Sequence, residues 1–234
     1  MKLLLAARSL LFYTGFVLLV ILGSTLICLC FFLPFNSKQT IASTSNRLVM
    51  YWLRITCGIR IEIIGRENIP AEPVVVLSNH QSSWETFYLL YLFSPVSIIL
   101  KRSLLFIPFF GWALYFMRPI AIERSQPSGA IRQVLKLGKQ RLGEGNNIVI
   151  FPEGTRAKTG QKLPFKSSGA ALAKAGRVPV LPVRHDAGTC WPVHTLLKYP
   201  GTIKLEVGSP LDSSELDVRE LTAQAEAWIN SDNR

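Results

Sequence analysis

The chain has 234 residues, of which 49% are hydrophobic and 18% are charged. This length suits one domain with a short appendage, and the low charged fraction points towards a membrane. The net charge of +11 favours anionic partners such as lipids, and no motif of a nucleic-acid-binding protein is present. Four cysteines without a CxxC pair argue against a disulfide framework, and the three histidines add no metal-binding pattern. We therefore expect neither nucleic acid nor a metal ion as a partner.

The N-terminal segment is the most apolar part of the chain. Residues 9–37 contain no charge, and about 20 apolar residues suffice to cross a bilayer. This run is longer than the apolar region of a signal peptide, so we expect a retained membrane segment. Residues 41–58 are also apolar, with Arg47 and Arg54 on one helical face, which is typical of an interfacial helix. The segment is thus either a spanning helix or a re-entrant hairpin that turns near Pro34.

The remainder of the chain alternates short β-rich runs with helical stretches. The predicted strands are 60–64, 74–78, 96–100, 119–122, 148–151, 180–183 and 202–207. The predicted helices are 83–93, 128–142, 166–175 and 214–229. This pattern predicts an α/β catalytic domain over residues 59–234, a mixed, largely parallel sheet flanked by helices, preceded by a membrane-anchoring segment over residues 1–58. Such sheets place their ligand sites beyond the carboxyl ends of the strands.

The first candidate site follows the predicted strand 74–78. His80 lies at the strand-to-helix junction, and histidine is the usual general base near neutral pH. Glu85 falls in the first turn of the next helix, where a carboxylate can accept from the imidazole and fix its tautomer. Ser82 and Glu85 also have the spacing of a helix capping box, which needs no catalysis. The spacing alone leaves both interpretations open.

The second candidate site, Phe-Pro-Glu-Gly-Thr-Arg at 151–156, follows another predicted strand. Gly154 permits a tight turn, and Arg156 offers a planar fork that suits phosphate. Glu153 could hold that fork or bind a substrate hydroxyl. The alternative is a polar turn with a surface ion pair.

Together these sites resemble the glycerolipid acyltransferase family, specifically the bacterial-type 1-acylglycerol-3-phosphate O-acyltransferases (lysophosphatidic acid acyltransferases). The resemblance covers roughly residues 60–210 and rests on four blocks, at 79–85, 101–124, 151–156 and 178–183. Glu85 stands where the family usually has Asp, and Ser103 stands where it often has an acidic residue. The first departure keeps the carboxylate, so we expect activity to survive it. The second leaves position 103 without an assigned role.

The resemblance implies transfer of an acyl group from acyl-CoA or acyl-carrier protein to the free hydroxyl of lysophosphatidic acid, giving phosphatidic acid. His80 would act as general base, and Glu85 would orient it. A thioester is already activated, so we expect no covalent enzyme intermediate and no cofactor beyond the acyl donor. The substrate-binding residues that the resemblance implies are Lys101, Arg124, Glu153, Gly154, Thr155 and Arg156.

Other features of the chain bear on substrate and location. The apolar residues 104–110 and Trp112 fit either an acyl tunnel or plain core, and we favour core because buried aromatics are common. His185 and His194 have no matching partners and are expected to be structural. The basic residues after the apolar run favour the cytoplasmic face of a bacterial inner membrane. Alternative functions are acylation of another lyso-lipid, such as a lyso-ornithine lipid, or non-catalytic binding of membrane lipid. A hydrolase is disfavoured because the sequence has no Gly-x-Ser-x-Gly elbow.

Overall fold

The computed structural model describes residues 2–123, 125 and 127–231. Its first two helices, α1 (Lys2–Leu29) and α2 (Phe35–Cys57), form an antiparallel hairpin. Two glycines of α1 allow the close approach of α2. A Cβ atom at Gly15 would collide with Trp52, and one at Gly23 would collide with Ser45.

The centre of the molecule is a seven-stranded sheet with the order β1-β7-β6-β2-β5-β3-β4. Strands β6, β2, β5, β3 and β4 run parallel, whereas β7 is antiparallel to β6 and parallel to β1. The strands are β1 (Ile59–Ile64), β2 (Val75–Ser78), β3 (Val96–Lys101), β4 (Ile120–Ile122), β5 (Asn147–Ile150), β6 (Val180–His185) and β7 (Gly201–Val207). All seven predicted strands are present, and the predicted mixed, largely parallel sheet is confirmed.

Helices cover both faces of this sheet. They are α3 (Trp84–Leu92), α4 (Phe110–Phe116), α5 (Pro127–Gly143), α6 (Ser168–Gly176) and α7 (Val218–Ile229). Val76 of β2 belongs to the apolar cluster formed with α1, α2 and α3. Its neighbours Val75 and Leu77 belong to the opposite cluster, formed with α5, α6 and α7. A central parallel strand is buried on both faces, which is why β2 is apolar at successive positions.

Two helices differ from the prediction. Helix α7 begins at Val218 rather than near residue 214, because Asp217 caps it and accepts from the backbone N–H groups of Arg219 and Glu220. Helix α4 was not predicted, since its run of apolar residues has no clear helical start signal.

The prediction of plain core for residues 104–110 and Trp112 is wrong. Phe106 is 75% exposed and Trp112 is 52% exposed, and Tyr115 on α4 is 69% exposed. These residues border a cleft of about 640 Å³, lined by Cys28, Phe31, Arg102, Leu105, Phe106, Trp112, Tyr115 and Phe116. Exposed aromatic side chains beside the exposed side of α1 form a broad apolar surface, which marks an interaction with a membrane or a partner.

The opposite side of α1 packs onto the α/β domain. Phe12 is fully buried and meets Trp191 edge to face, with ring centroids 5.0 Å apart. The backbone N–H of Lys198 donates to Ser9 Oγ at 2.8 Å, and its ammonium donates to the Tyr13 hydroxyl at 2.7 Å. Burial lowers the pKa of Lys198 to about 8. Although α1 is long and apolar enough to cross a membrane, one side of it is therefore fixed to the domain.

Candidate active site

The candidate active site lies at the carboxyl edge of the parallel strands. β2 has β5 on one side and β6 on the other, with Leu77 opposite both Ile150 and Pro182. The chain segments that leave these three strands therefore start side by side. The two motifs that were singled out in the sequence, at 79–85 and 151–156, meet here.

His80 and Glu85 form the centre of this site. His80 Nδ1 lies 2.7 Å from Glu85 Oε1, and the Glu85 side chain is fully buried while the His80 side chain is 14% exposed. A carboxylate oxygen only accepts, so Nδ1 carries the hydrogen and Nε2 keeps its lone pair. The imidazole is thus held in the tautomer that a general base requires.

The same carboxylate oxygen also binds the backbone. Glu85 Oε1 accepts from the N–H of Gln81 at 3.0 Å and from the N–H of Ser82 at 2.7 Å. Ser82 Oγ accepts from the N–H of Trp84 at the start of α3. The helix-start and imidazole-orienting interpretations of the sequence are therefore compatible, because one carboxylate makes both sets of contacts.

The loop after β5 holds His80 from the other side. The Phe151 ring stacks on the imidazole, with centroids 4.1 Å apart and planes 14° apart. The N–H of Ala157 donates to the His80 carbonyl at 2.7 Å, which fixes the two loops together. Stacking and hydrogen bonding leave the imidazole little freedom to rotate.

Glu153 lies behind the His80 backbone. Its Oε1 accepts from the His80 N–H at 3.4 Å, and the residue is 8% exposed. Burial, with a smaller contribution from the charge of Glu85, raises the pKa of Glu153 to about 7 against the opposing effect of the His80 N–H. Glu153 therefore changes its charge near neutral pH, which is unusual for a carboxyl group.

Two basic residues, Arg156 and Lys166, lie on the loop that turns at Gly154. Gly154 has a φ of +74°, and a Cβ atom there would lie 2.8 Å from Lys166 Nζ. Thr155 and Arg156 are exposed on the same loop. The Lys166 N–H donates to the Pro152 carbonyl at 3.0 Å, which holds the lysine over the turn. Sequence reasoning missed Lys166, because its position depends on how the loop folds back.

The remaining predicted substrate-binding residues lie further along the sheet. Lys101 is exposed at the carboxyl end of β3, two strands from β2 and therefore roughly 10 Å away across the sheet. Arg124 lies outside the described residues. Within residues 2–123, 125 and 127–231, no group of three or more metal-ligating side chains occurs.

Comparison with known proteins relates this arrangement to one family. A family model described as Acyltransferase matches residues 60–186. The chain is 46% identical over 202 residues to a 1-acyl-sn-glycerol-3-phosphate acyltransferase of Pseudomonas aeruginosa, covering 85% of this chain and 79% of that protein. It is 31% identical over 151 residues to a Saccharomyces cerevisiae protein of the same name, covering 62% of this chain and 50% of that protein.

A solved structure has the same fold. The crystal structure of a 1-acyl-sn-glycerophosphate acyltransferase from Thermotoga maritima superposes with a TM-score of 0.83 at 24% sequence identity. The match covers 97% of this chain and 94% of the other, so it includes the N-terminal helices as well as the sheet.

Proposed function

This chain belongs to the glycerolipid acyltransferase family, and we propose that it transfers a fatty acyl group from an acyl thioester to the free hydroxyl of lysophosphatidic acid, giving phosphatidic acid. The observation that carries the proposal is the buried contact of 2.7 Å between His80 Nδ1 and Glu85 Oε1. The names of the relatives support the choice of acceptor.

In the proposed reaction, His80 Nε2 removes the proton of the acceptor hydroxyl as its oxygen attacks the thioester carbonyl. Glu85 stabilises the imidazolium that forms, since three donors already converge on its Oε1 and orient it. The tetrahedral intermediate then collapses, the carbon–sulfur bond breaks, and the departing thiolate takes the proton from His80. The products are the new ester and the free thiol, and no enzyme nucleophile is needed.

We assign the acceptor phosphate to the cations around Gly154. Arg156 presents a fork that can bind two phosphate oxygens, and Lys166 adds a second positive charge on the same loop. Lys101 extends the cationic edge along β3. Glu153 contacts the His80 backbone from the same loop as Arg156, and we assign its carboxyl group to a glycerol hydroxyl of the acceptor.

The apolar surface supplies a place for acyl chains and for the membrane. The cleft of about 640 Å³ beside Phe106 and Trp112 is of the size and character that suit a fatty acyl chain. Both halves of α1 contact the domain, through Phe12 near its start and through Cys28 in the cleft near its end. A helix held in this way favours a re-entrant hairpin seated in one leaflet over a simple span, on the cytoplasmic face of a bacterial inner membrane.

The acceptor and the donor are tested by one experiment. Full-length protein in phospholipid vesicles is assayed with lysophosphatidic acid, lyso-phosphatidylcholine and lyso-ornithine lipid, each with acyl-CoA and with acyl-carrier protein. We expect lysophosphatidic acid to be acylated fastest with at least one of the donors. Turnover of another acceptor alone would overturn the proposed substrate but leave acyl transfer standing.

A His80→Ala variant distinguishes catalysis from lipid binding. Loss of the general base is expected to lower kcat by roughly 10³-fold or more, while the protein stays folded and bound to vesicles. Acyl transfer at the wild-type rate by this variant would contradict the proposed mechanism. Absence of acyl transfer by the wild-type protein with every donor and acceptor would favour a non-catalytic lipid-binding protein.

A further inference from the structure

A second histidine lies directly behind the proposed catalytic pair. His185 is the last residue of β6, and its side chain is fully buried. Its Nε2 lies 4.0 Å from Glu85 Oε2, the carboxylate oxygen that faces away from His80. Sequence spacing gave no reason to connect His185 with the site, because it is 105 positions after His80.

The hydrogen bonds of His185 define its tautomer. Nε2 lies 3.0 Å from the Asn79 carbonyl oxygen, which can only accept, so Nε2 carries the hydrogen. Nδ1 accepts from the N–H of Ala187 at 3.3 Å. With one nitrogen donating and the other accepting, the ring is neutral. Burial also lowers the pKa of His185, which favours the neutral ring as well.

The side-chain amide of Asn79 also forms hydrogen bonds with the backbone of His185. Asn79 Nδ2 donates to the His185 carbonyl at 2.8 Å, and the His185 N–H donates to Asn79 Oδ1 at 3.0 Å. With the bond from the ring, this makes three hydrogen bonds between Asn79, which precedes His80, and His185, which ends β6. This Asn79–His185 clasp fixes the backbone from which the His80 side chain projects.

The clasp also places the His185 ring near the carboxylate of Glu85. Among the described residues, Glu85 Oε2 is buried without a hydrogen-bond partner, whereas Oε1 has three. A buried anionic oxygen is costly unless positive charge or a dipole faces it. The Nε2–H group of His185 donates its hydrogen to the Asn79 carbonyl, but its positive end still lies 4.0 Å from Glu85 Oε2. It adds no net charge that would compete with the imidazolium of His80.

We propose that His185 is a positioning residue of the acyltransferase reaction, which holds the loop that carries His80 through Asn79 and keeps its Nε2–H dipole 4.0 Å from the free oxygen of Glu85. This proposal rests on the proposed roles of His80 and Glu85. The ionisable groups that face the His185 ring are Glu85 on α3, His80 in the loop after β2, and Asp186 next in the chain.

Two substitutions separate the two ring nitrogens. His185→Asn places an amide near the position of Nδ1 but is too short to reach the Asn79 carbonyl, so it removes the Nε2 donor. His185→Gln places an amide near Nε2 and keeps that donor. Full-length variants in vesicles are compared for kcat, for the KM of both substrates, for the pH profile of kcat/KM and for the melting temperature. His194→Asn is the matched control, because His194 is exposed.

We expect His185→Asn to lower kcat by about 10- to 100-fold with KM values within about twofold, the range for misplacing a catalytic group. The acid limb of its pH profile is expected to move upward, because removal of a positive dipole favours protonated His80. His185→Gln is expected to stay within about fivefold of the wild type without a shifted profile, and His194→Asn to match the wild type.

Equal losses for His185→Asn and His185→Gln would overturn the proposal, as would wild-type kcat for His185→Asn. A lower melting temperature with unchanged kcat and pH profile would assign His185 a purely structural role. If His185→Asn yields no folded enzyme, Asn79→Ala is assayed in its place. Asn79→Ala removes two hydrogen bonds of the clasp and is expected to lower kcat in the same range. His80→Ala is assayed in parallel. Full activity of His80→Ala would show that the proposed role of His80 is wrong, and not only the role of His185.

Discussion

Two loops leave neighbouring parallel strands of the same sheet, yet they differ in character. The loop after β2, residues 79–83, is short and has no exposed residue, and hydrogen bonds to Glu85, Ala157 and His185 hold it. The loop after β5, which runs from 151 to 167, is longer and mostly exposed. It carries Arg156 and Lys166 at the surface.

Under the proposed function, the first loop serves the chemical step and the second loop serves substrate capture. A proton-transfer pair needs fixed distances and little water, so its supporting contacts are buried and short. A clamp for a charged headgroup must stay open to solvent until the substrate arrives. Substitutions in the first loop and at its partner Glu85 are therefore expected to lower kcat, whereas substitutions in the second loop are expected to raise KM.

The largest effect is expected for Glu85→Gln. A neutral amide keeps the shape but cannot stabilise the imidazolium of His80, so kcat is expected to fall by roughly 10³- to 10⁴-fold. Glu85→Asp is the control, because it retains the charge and is expected to keep most of the activity. Steady-state rates of both variants at saturating donor check this. A harmless Glu85→Gln would remove the orienting role and leave Glu85 only its contacts to Gln81 and Ser82.

A smaller effect is expected for Arg156→Ala. Loss of a charge-assisted contact to phosphate is expected to raise the KM for lysophosphatidic acid by about 10- to 100-fold, with kcat changed little. Lys166→Ala is expected to act in the same direction but more weakly, because an ammonium group binds one oxygen at a time. Lys158→Ala, an exposed lysine of the same loop, serves as the control. A fall in kcat at constant KM would place Arg156 in the chemical step instead.

Glu153→Gln is expected to make the protein more stable than the wild type, by an amount that grows as pH rises. The pKa of Glu153 is about 7 when folded, above its ordinary value of 4.5, so the folded state binds more protons between those values. The free energy of unfolding of the wild-type protein therefore falls as pH rises from 4.5 to 7, because the buried Glu153 loses its proton. The variant lacks this loss and is expected to gain roughly 1–2 kcal/mol over the wild type at pH 8, after allowance for solvent screening. Denaturant unfolding at pH 5 and pH 8 measures it, and a gain that does not grow with pH would contradict the shift.

The smallest effect is expected for Phe151→Leu. This change removes the ring that stacks on His80 and keeps an apolar side chain, which is worth roughly 0.5–1.5 kcal/mol. The expected result is a fall in kcat of about 2- to 10-fold with the KM of both substrates retained. Phe165→Leu is the control, since Phe165 packs with the opposite cluster. An increase in KM alone would show that Phe151 belongs with the substrate-binding part of its loop.

Much of this architecture could be predicted from the sequence. Each strand is a short apolar or β-rich run with turn residues at its ends, and for this reason all seven were found. Helix α4 was missed, and its surroundings were assigned to core, because burial is the usual fate of Phe106 and Trp112 in a water-soluble protein. Under the proposed membrane association their exposure has a simple reason, because a bilayer acts as a second apolar solvent that residue spacing does not encode.

The site was predictable where its parts are close in sequence. His80 and Glu85 are five residues apart, and their contact follows from a strand that leads into a helix. The contact between Asn79 and His185 joins residues 106 positions apart. The approach of Lys166 to Gly154 depends on a turn in a long loop. Such contacts are set by the tertiary fold and carry no local signal.

The packing of α1 also bears on how the protein is made. Ser9 and Phe12 leave the ribosome well before their partners Lys198 and Trp191, because Ser9 and Lys198 are 189 positions apart in the chain. Synthesis proceeds at about 5–20 residues per second, so the helix waits roughly 10–40 seconds for its partners. We expect the hairpin to insert into the bilayer during that interval, so that the α/β domain then closes onto a helix that is already in place.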